Sequence, residues 1–361
     1  MNIPVSDAIL SIKPYIPGKP IEEVEREYGI ANSIKIASNE NPLGPSPKAI
    51  EAIRGALGNL HRYPDGSAYY LVRKLAEKLN VSPENIVLGN GSDEVIGMLT
   101  RVLLQPGDEA ILPQPAFLVY DMMIRCDSAT PVYVPLKSLA IDLESMKNKV
   151  TPKTRMIFLT NPNNPTGTII SKAAFEDFLE SIPPEVVIVA DEAYIEFVRD
   201  ADCFHGLDYL HGGRCVVTLR TFSKIYGLAG LRIGYGVMPK QLAELLNRIR
   251  QPFNANSLAQ VAAIAALDDT EFFRKTLKTV HEGLEFLEKE LDRLGVRHFP
   301  TQANFFLIDM KKNAAEVFEG FLKQGVIVRS MISYGFPEYI RVNVGTHEEN
   351  LRFIKAMENL I

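Results

Sequence analysis

The chain has 361 residues, of which 46% are hydrophobic and 23% charged, and its formal net charge is -5 at pH 7. That length suits one large domain and a smaller one, and the mildly acidic balance argues against nucleic acid as the main partner, because phosphate backbones need a basic face. Three cysteines without CxxC spacing and histidines without paired spacing argue against a disulfide frame and against a metal, no apolar run of about 18 residues marks a membrane span, and no secretory leader is legible, so a cytoplasmic protein is expected.

Residues 1–35 read as an arm broken by Pro4, Pro14, Pro17 and Pro20, with one short helix in IEEVEREYGI. IKIASNENPLGP starts as a strand and ends in a turn. Ser46 reads as the N-cap of a helix in SPKAIEAIRGAL, and Ser67 as the cap of a second in SAYYLVRKLAEKLN. The chain then alternates. NIVLGN, DEAILPQP and TRMIFLTNP read as strands, each followed by a helix: SDEVIGMLTRVLL, AFLVYDMMIRC and KAAFEDFLESI. EVVIVADEAY, GRCVVTLRTFS and LRIGYGVM continue as apolar, β-branched runs too short for surface helices. Such alternation implies the α/β class, with a three-layer α/β/α large domain around a mainly parallel sheet. Past Pro239 helices dominate: QLAELLNRI, SLAQVAAIAAL and a long one over 270–294 that Gly295 ends. A smaller α+β portion follows, with strands in ANFFLIDM, VIVRS and YIRVNVG and a last helix from His347. The expected division is an N-terminal arm (1–35) associated with the small domain, a large domain (36–250) and a small C-terminal domain (251–361).

In open α/β sheets ligands sit beyond the carboxyl ends of the strands, so the polar residues that close these strands are the candidates. Gly89, Gly91 and Ser92 run into a helix start whose backbone N–H groups can face a phosphate, although taken alone a glycine turn with a Ser or Asp N-cap is the plainer explanation. Asn161, Asn163 and Asn164 form a polar string longer than a turn needs. Asp191 and Glu192 end a wholly apolar run, where a bare carboxylate is costly without a cationic partner, and Tyr194 follows close enough to share the pocket. Lys224 lies after another buried strand. A lysine in a desolvated pocket can shed its proton and attack an aldehyde, while Ser223 and Arg232 beside it can hold a phosphate.

TFSKIYGLAGLRIGY resembles the lysine motif of the fold-type I, class I and II aminotransferases. NPNNPTG and DEAYIEF resemble that superfamily's other two hallmarks, in the same order. KPYIPGKP, ASNENPLGPSP, RYPDG, GNGSDE and YIRVNVGT extend the likeness over the whole chain, and are similar to the histidinol-phosphate branch in particular. The resemblance implies pyridoxal 5'-phosphate as cofactor, carried as a Schiff base on Lys224, with Asp191 against the pyridine nitrogen and Asn164 and Tyr194 on its phenolic oxygen. By the same resemblance Gly91, Ser92 and Asp93 match a phosphate-binding helix start, completed by Thr221, Ser223 and Arg232, and Phe117 matches a ring stacked on the pyridine. Tyr63 matches a tyrosine that reaches the cofactor phosphate of a neighbouring subunit, which implies a homodimer. Arg341 matches the arginine that takes the substrate's anionic end, Arg329 is expected to assist it unless it serves a surface ion pair, and Tyr15, Asn39 and Glu40 match segments close to the substrate. The implied partners are a small-molecule amino donor and a 2-oxo acid acceptor, with no nucleic acid and no membrane. The motifs leave open an aromatic amino-acid substrate, or decarboxylation of O-phosphothreonine on the same scaffold. A non-catalytic regulator is disfavoured, because the arm is too short for a helix-turn-helix module.

Overall fold

The computed structural model describes residues 3–14 and 18–361. Its largest sheet has seven strands, which in chain order are β1 (Ile86–Gly89), β2 (Glu109–Gln114), β3 (Thr130–Pro135), β4 (Thr154–Thr160), β5 (Val187–Asp191), β6 (Val216–Thr221) and β7 (Gly234–Val237). Their spatial order is β1-β7-β6-β5-β4-β2-β3. β3, β2, β4, β5 and β6 pair in parallel, whereas β7 runs antiparallel to both of its neighbours.

The continuous apolar runs of the central strands have a direct cause. Side chains alternate across a strand, and here both faces are covered. Met156 and Phe158 of β4 pack into one core with the helices Ser92–Leu103, Leu118–Cys126 and Lys240–Ile249. Ile157 and Leu159 pack into another, on the opposite face, with Lys172–Ser181 and Leu143–Lys147. The expected three-layer arrangement around a mainly parallel sheet is therefore observed.

A second sheet has four antiparallel strands, β8 (Arg297–His298), β9 (Phe305–Asp309), β10 (Arg329–Ser330) and β11 (Tyr339–Asn343), in the order β10-β11-β9-β8. The segment Ile34–Lys35 pairs in parallel with Val326–Ile327, which carries the chain from the arm past this sheet into the site. The helix Ser257–Leu267 lies against Pro47–Ala56 and Tyr69–Leu79, so the chain beyond residue 250 also touches helices near its start.

The local readings fare unevenly. Ser46 caps its helix, accepting from Ala49 N, and Gly295 adopts φ +67 just past the long helix Thr270–Arg293. Ser67 is not a cap. Helix Tyr69–Leu79 starts after Ala68, and the Asp65 carboxylate takes the N–H groups of both Ser67 and Tyr69 at 2.9 and 2.8 Å. The two carboxylate oxygens reach the two N–H groups separately, Oδ1 taking Ser67 and Oδ2 taking Tyr69, and an ionised acceptor holds each more strongly than a hydroxyl would. Strand β3 was not expected at all. Pro131 and Pro135 punctuate it, and such prolines are tolerated because it lies at the sheet edge.

Candidate active site

The carboxyl ends of β4, β5 and β6 surround a cavity of about 140 Å³, closed on one side by the start of helix Ser92–Leu103. Lys224 enters it from the turn after β6. Its Nζ donates to the Ser38 carbonyl at 3.2 Å and stands 5.6 Å from the Tyr194 ring centroid. Burial pushes the ammonium down to about 8. The charge of Arg341 adds to that shift, while Glu40 and Asp93 oppose it.

Asp191 ends β5 and is 4% exposed. Burial raises its carboxyl to about 6, and two donors hold it from rising further: Tyr120 Oη at 2.5 Å and Ala193 N at 3.2 Å. Its neighbour Glu192 points the other way. Arg220 donates to Glu192 Oε2 from Nε at 2.9 Å and Nη2 at 2.7 Å, and Gly206 N donates to Oε1 at 2.5 Å. Of two adjacent buried acids, one thus has a protein cation, and Asp191 has none among the described residues. An incoming cation facing the cavity would complete it.

Tyr194 is buried, and its hydroxyl accepts from Asn39 Nδ2 at 3.0 Å. Asn39 is itself fixed, at φ +56, by a bond from its N–H to Asn343 Oδ1 at 2.9 Å and by Asn304 Nδ2 at its carbonyl. Asn164 lines the cavity, and its Oδ1 accepts from Arg341 Nη1 at 2.5 Å. Phe117 lines the opposite wall as the N-cap residue of Leu118–Cys126.

At the other end, Gly91 precedes the helix at φ +81, leaving the first N–H groups at Ser92 and Asp93 without intrahelical carbonyls. A Cβ at Gly91 would run into the Arg232 guanidinium, so only glycine allows that approach. Arg232 Nη2 donates to Asp93 Oδ2 at 3.2 Å. Burial raises the Asp93 carboxyl, against the pull of Arg232 and Lys224. Thr221 Oγ1 donates to Ser223 Oγ at 2.9 Å, and both hydroxyls line the same pocket. A helix N-terminus, two hydroxyls and a guanidinium together form a cradle for a dianion.

Arg341 sits on β11, 6% exposed, with Nη2 donating to the Ala37 carbonyl at 2.8 Å and its guanidinium 5.2 Å from the Phe305 ring centroid. Arg329 on β10 is its register partner. Glu40 pairs with Lys35 at 3.2 Å and lines a separate surface cavity of about 390 Å³. Tyr63 lies away from the cavity of its own chain. It is 82% exposed and stacks on Phe253 at 4.7 Å and 18°. Tyr15 lies outside the described residues. Sequence reasoning missed Thr160 and Ala193, which line the cavity, and Tyr120, which lies behind it. Thr160 alone carried a signal, as the last residue of a strand whose neighbour ends in Asp191.

Residues 31–357 match the family model "Aminotransferase class I and II". The chain is 49% identical over 358 residues to histidinol-phosphate aminotransferase 2 of Carboxydothermus hydrogenoformans, covering 99% of each chain. It is 47% identical to the histidinol-phosphate aminotransferase of Moorella thermoacetica, covering 98% of this chain and 92% of that one. Among solved structures, the histidinol-phosphate aminotransferase of Sinorhizobium meliloti in complex with pyridoxal-5'-phosphate matches with a TM-score of 0.89 at 26% identity, covering 98% of this chain and 96% of that one.

Proposed function

Because the chain belongs to the class I and II aminotransferases, we propose that it moves an amino group between L-histidinol phosphate and 2-oxoglutarate, giving imidazole-acetol phosphate and L-glutamate, with pyridoxal 5'-phosphate held on Lys224. Histidine biosynthesis in the cytoplasm is the setting that goes with this reading, and among the described residues no helix is long and apolar enough to cross a membrane.

The observation that carries the cofactor assignment is the lone carboxylate of Asp191. It is buried, has no protein cation among the described residues, and faces the cavity that Lys224 enters. A protonated ring nitrogen is the partner it lacks. Thr221, Ser223, Arg232 and the N–H groups from Gly91, Ser92 and Asp93 fit the phosphate, Asn164 and Tyr194 fit the phenolic oxygen, and Phe117 fits the ring face. When bound, the group supplies an electron sink for the charge left on the substrate Cα.

The remaining work falls to this chain's own side chains. Lys224 Nζ, with its proton held only to about pH 8, would take the Cα proton and return it two atoms away, on the carbon beyond the transferred nitrogen. Asp191 holds the opposing charge at the far end of the pocket. Arg341 and Arg329, in register on adjacent strands, offer guanidinium groups that suit a carboxylate and a phosphate in turn, as two alternating substrates require. Asn39 positions the Tyr194 hydroxyl, and Tyr15 and Glu40 complete the substrate side of this reading. The exposure of Tyr63 on its own chain supports the reading that it serves the cofactor phosphate of a second copy in a homodimer. The arm (1–35), large (36–250) and small (251–361) domains are proposed with it.

The deciding experiment compares kcat/KM for histidinol phosphate and phenylalanine with 2-oxoglutarate as acceptor. Histidinol phosphate is expected to lead by at least tenfold. A preference for phenylalanine would move the assignment to aromatic amino acids, and release of carbon dioxide from O-phosphothreonine would replace transamination by decarboxylation.

A further inference from the structure

The strongest polar contact to Asp191 comes from a residue outside the cavity. Tyr120 is fully buried on helix Leu118–Cys126, its ring stacked on Phe158 at 4.6 Å and 17° and meeting Phe117 edge-on at 5.6 Å. Its hydroxyl lies 2.5 Å from Asp191 Oδ2 and 3.0 Å from Thr160 Oγ1. An ionised carboxylate only accepts, so the tyrosine proton points at Asp191 and Thr160 donates to the tyrosine oxygen. The order Thr160, Tyr120, Asp191 therefore has one direction. Thr160 and Asp191 are register partners on β4 and β5, so the sheet itself sets the spacing that Tyr120 bridges.

We infer that Tyr120, backed by Thr160, is a positioning residue for the reaction: it keeps Asp191 charged and aimed at the ring nitrogen of the bound cofactor. The inference depends on the cofactor reading above. The Asp191 carboxylate is tethered twice, by Tyr120 at Oδ2 and by Ala193 N–H at Oδ1, which fixes its plane. Burial pushes that acid upward, and Asp93 and Glu192 push in the same direction. The cations Lys224 and Arg232 line the same cavity, and Tyr194 stands beside it, yet none of them donates to Asp191 among the described residues. The tyrosine proton is thus the main force holding the acid in its ionised form. Burial and the neighbouring carboxylate raise the Tyr120 phenol well above its usual range, so it remains a donor across the working pH.

Tyr120→Phe removes the donor and keeps the ring packing. The full chain, stripped of cofactor, is titrated with pyridoxal phosphate, and the ring nitrogen of the ¹⁵N-labelled cofactor is followed by NMR against pH. Binding by the unsubstituted chain tests the cofactor reading; the ratio between variant and parent tests the inference. Loss of a hydrogen bond to a charged group predicts affinity weakened by about 10- to 100-fold. The ring nitrogen should also lose its proton at lower pH in the variant. Thr160→Val, which removes only the donor behind Tyr120, should shift both readings the same way and less, and it carries the test if Tyr120→Phe does not fold. A Tyr120→Phe chain that is merely less stable, with affinity within twofold of the parent and an unmoved ring-nitrogen titration, would overturn the inference.

Discussion

Arg341 on β11 donates to Asn164 at 2.5 Å, so one hydrogen bond joins the four-stranded sheet to the loop after β4. The same guanidinium also holds the Ala37 carbonyl. On the proposed reading, a substrate anion arriving at Arg341 meets a group already oriented on two sides. Arg341→Lys keeps the charge and loses the fork. Its KM for both the phosphate-bearing amine and the 2-oxo acid is expected to rise by about 10- to 100-fold, the weight of a hydrogen bond to a charged group. Steady-state kinetics with each substrate varied in turn measures it, and kcat should fall less than KM rises.

Lys224 weakens the cofactor-free fold. Its folded value of about 8 lies below the ordinary 10.5, so at neutral pH the unfolded chain binds the proton more tightly than the folded one. Stability must then rise as pH climbs from about 8 to 10.5, and the penalty is complete below that window. Lys224→Met should stabilise the cofactor-free chain at pH 7 by up to about 3 kcal/mol, at 1.36 kcal/mol per unit. The gain should fade by pH 10.5 in urea melts, and turnover should be abolished at every pH.

The Glu192–Arg220 pair should behave in the opposite way. Arg220→Met leaves Glu192 buried with no paired cation among the described residues, a change expected to cost about 3–5 kcal/mol. Replacing both, as Glu192→Gln with Arg220→Met, should recover much of the loss. Urea unfolding of the two singles and the double reads the coupling directly.

Tyr63 supplies a test of shared sites. Tyr63→Ala and Lys224→Ala should each be nearly inactive alone. If Tyr63 serves the partner's cofactor, a mixed dimer holds one intact site and one doubly broken site. Refolding the two together should restore about one quarter of parental turnover by random pairing. No recovery, with dimers present by sedimentation, would remove Tyr63 from the site.

What the sequence disclosed follows from where the chemistry sits. Asp191 closes an apolar strand, Asn164, Tyr194 and Lys224 lie in the turns just after such strands, and a polar residue in that place stands out against its background. Tyr120 does not stand out. Within AFLVYDMMIRC it occupies one more apolar position of an amphipathic helix, and only the sheet register brings its hydroxyl to Asp191. Strand β3 was hidden by prolines that an edge tolerates. The reversal of β7 was hidden because Ser223 to Ile233 turn twice, at Gly227 and Arg232, and no local periodicity records a direction. Tyr63 was legible only through resemblance, since its own chain leaves it on the surface.

That reversal of β7 has a consequence for how the molecule comes together. Because β7 runs against its neighbours, Arg232 at its entry meets Gly91 at the exit of β1, and a side chain at Gly234 would strike the backbone of Ser92. The two halves of the anion cradle lie about as far apart in the chain as β1 and β7 themselves. The cradle therefore cannot exist until this long-range edge pairing has closed, a type of contact that forms slowly because its loop entropy is lost first. Recovery of phosphate affinity during refolding would accordingly mark one of the last steps of assembly, well after the parallel core has formed.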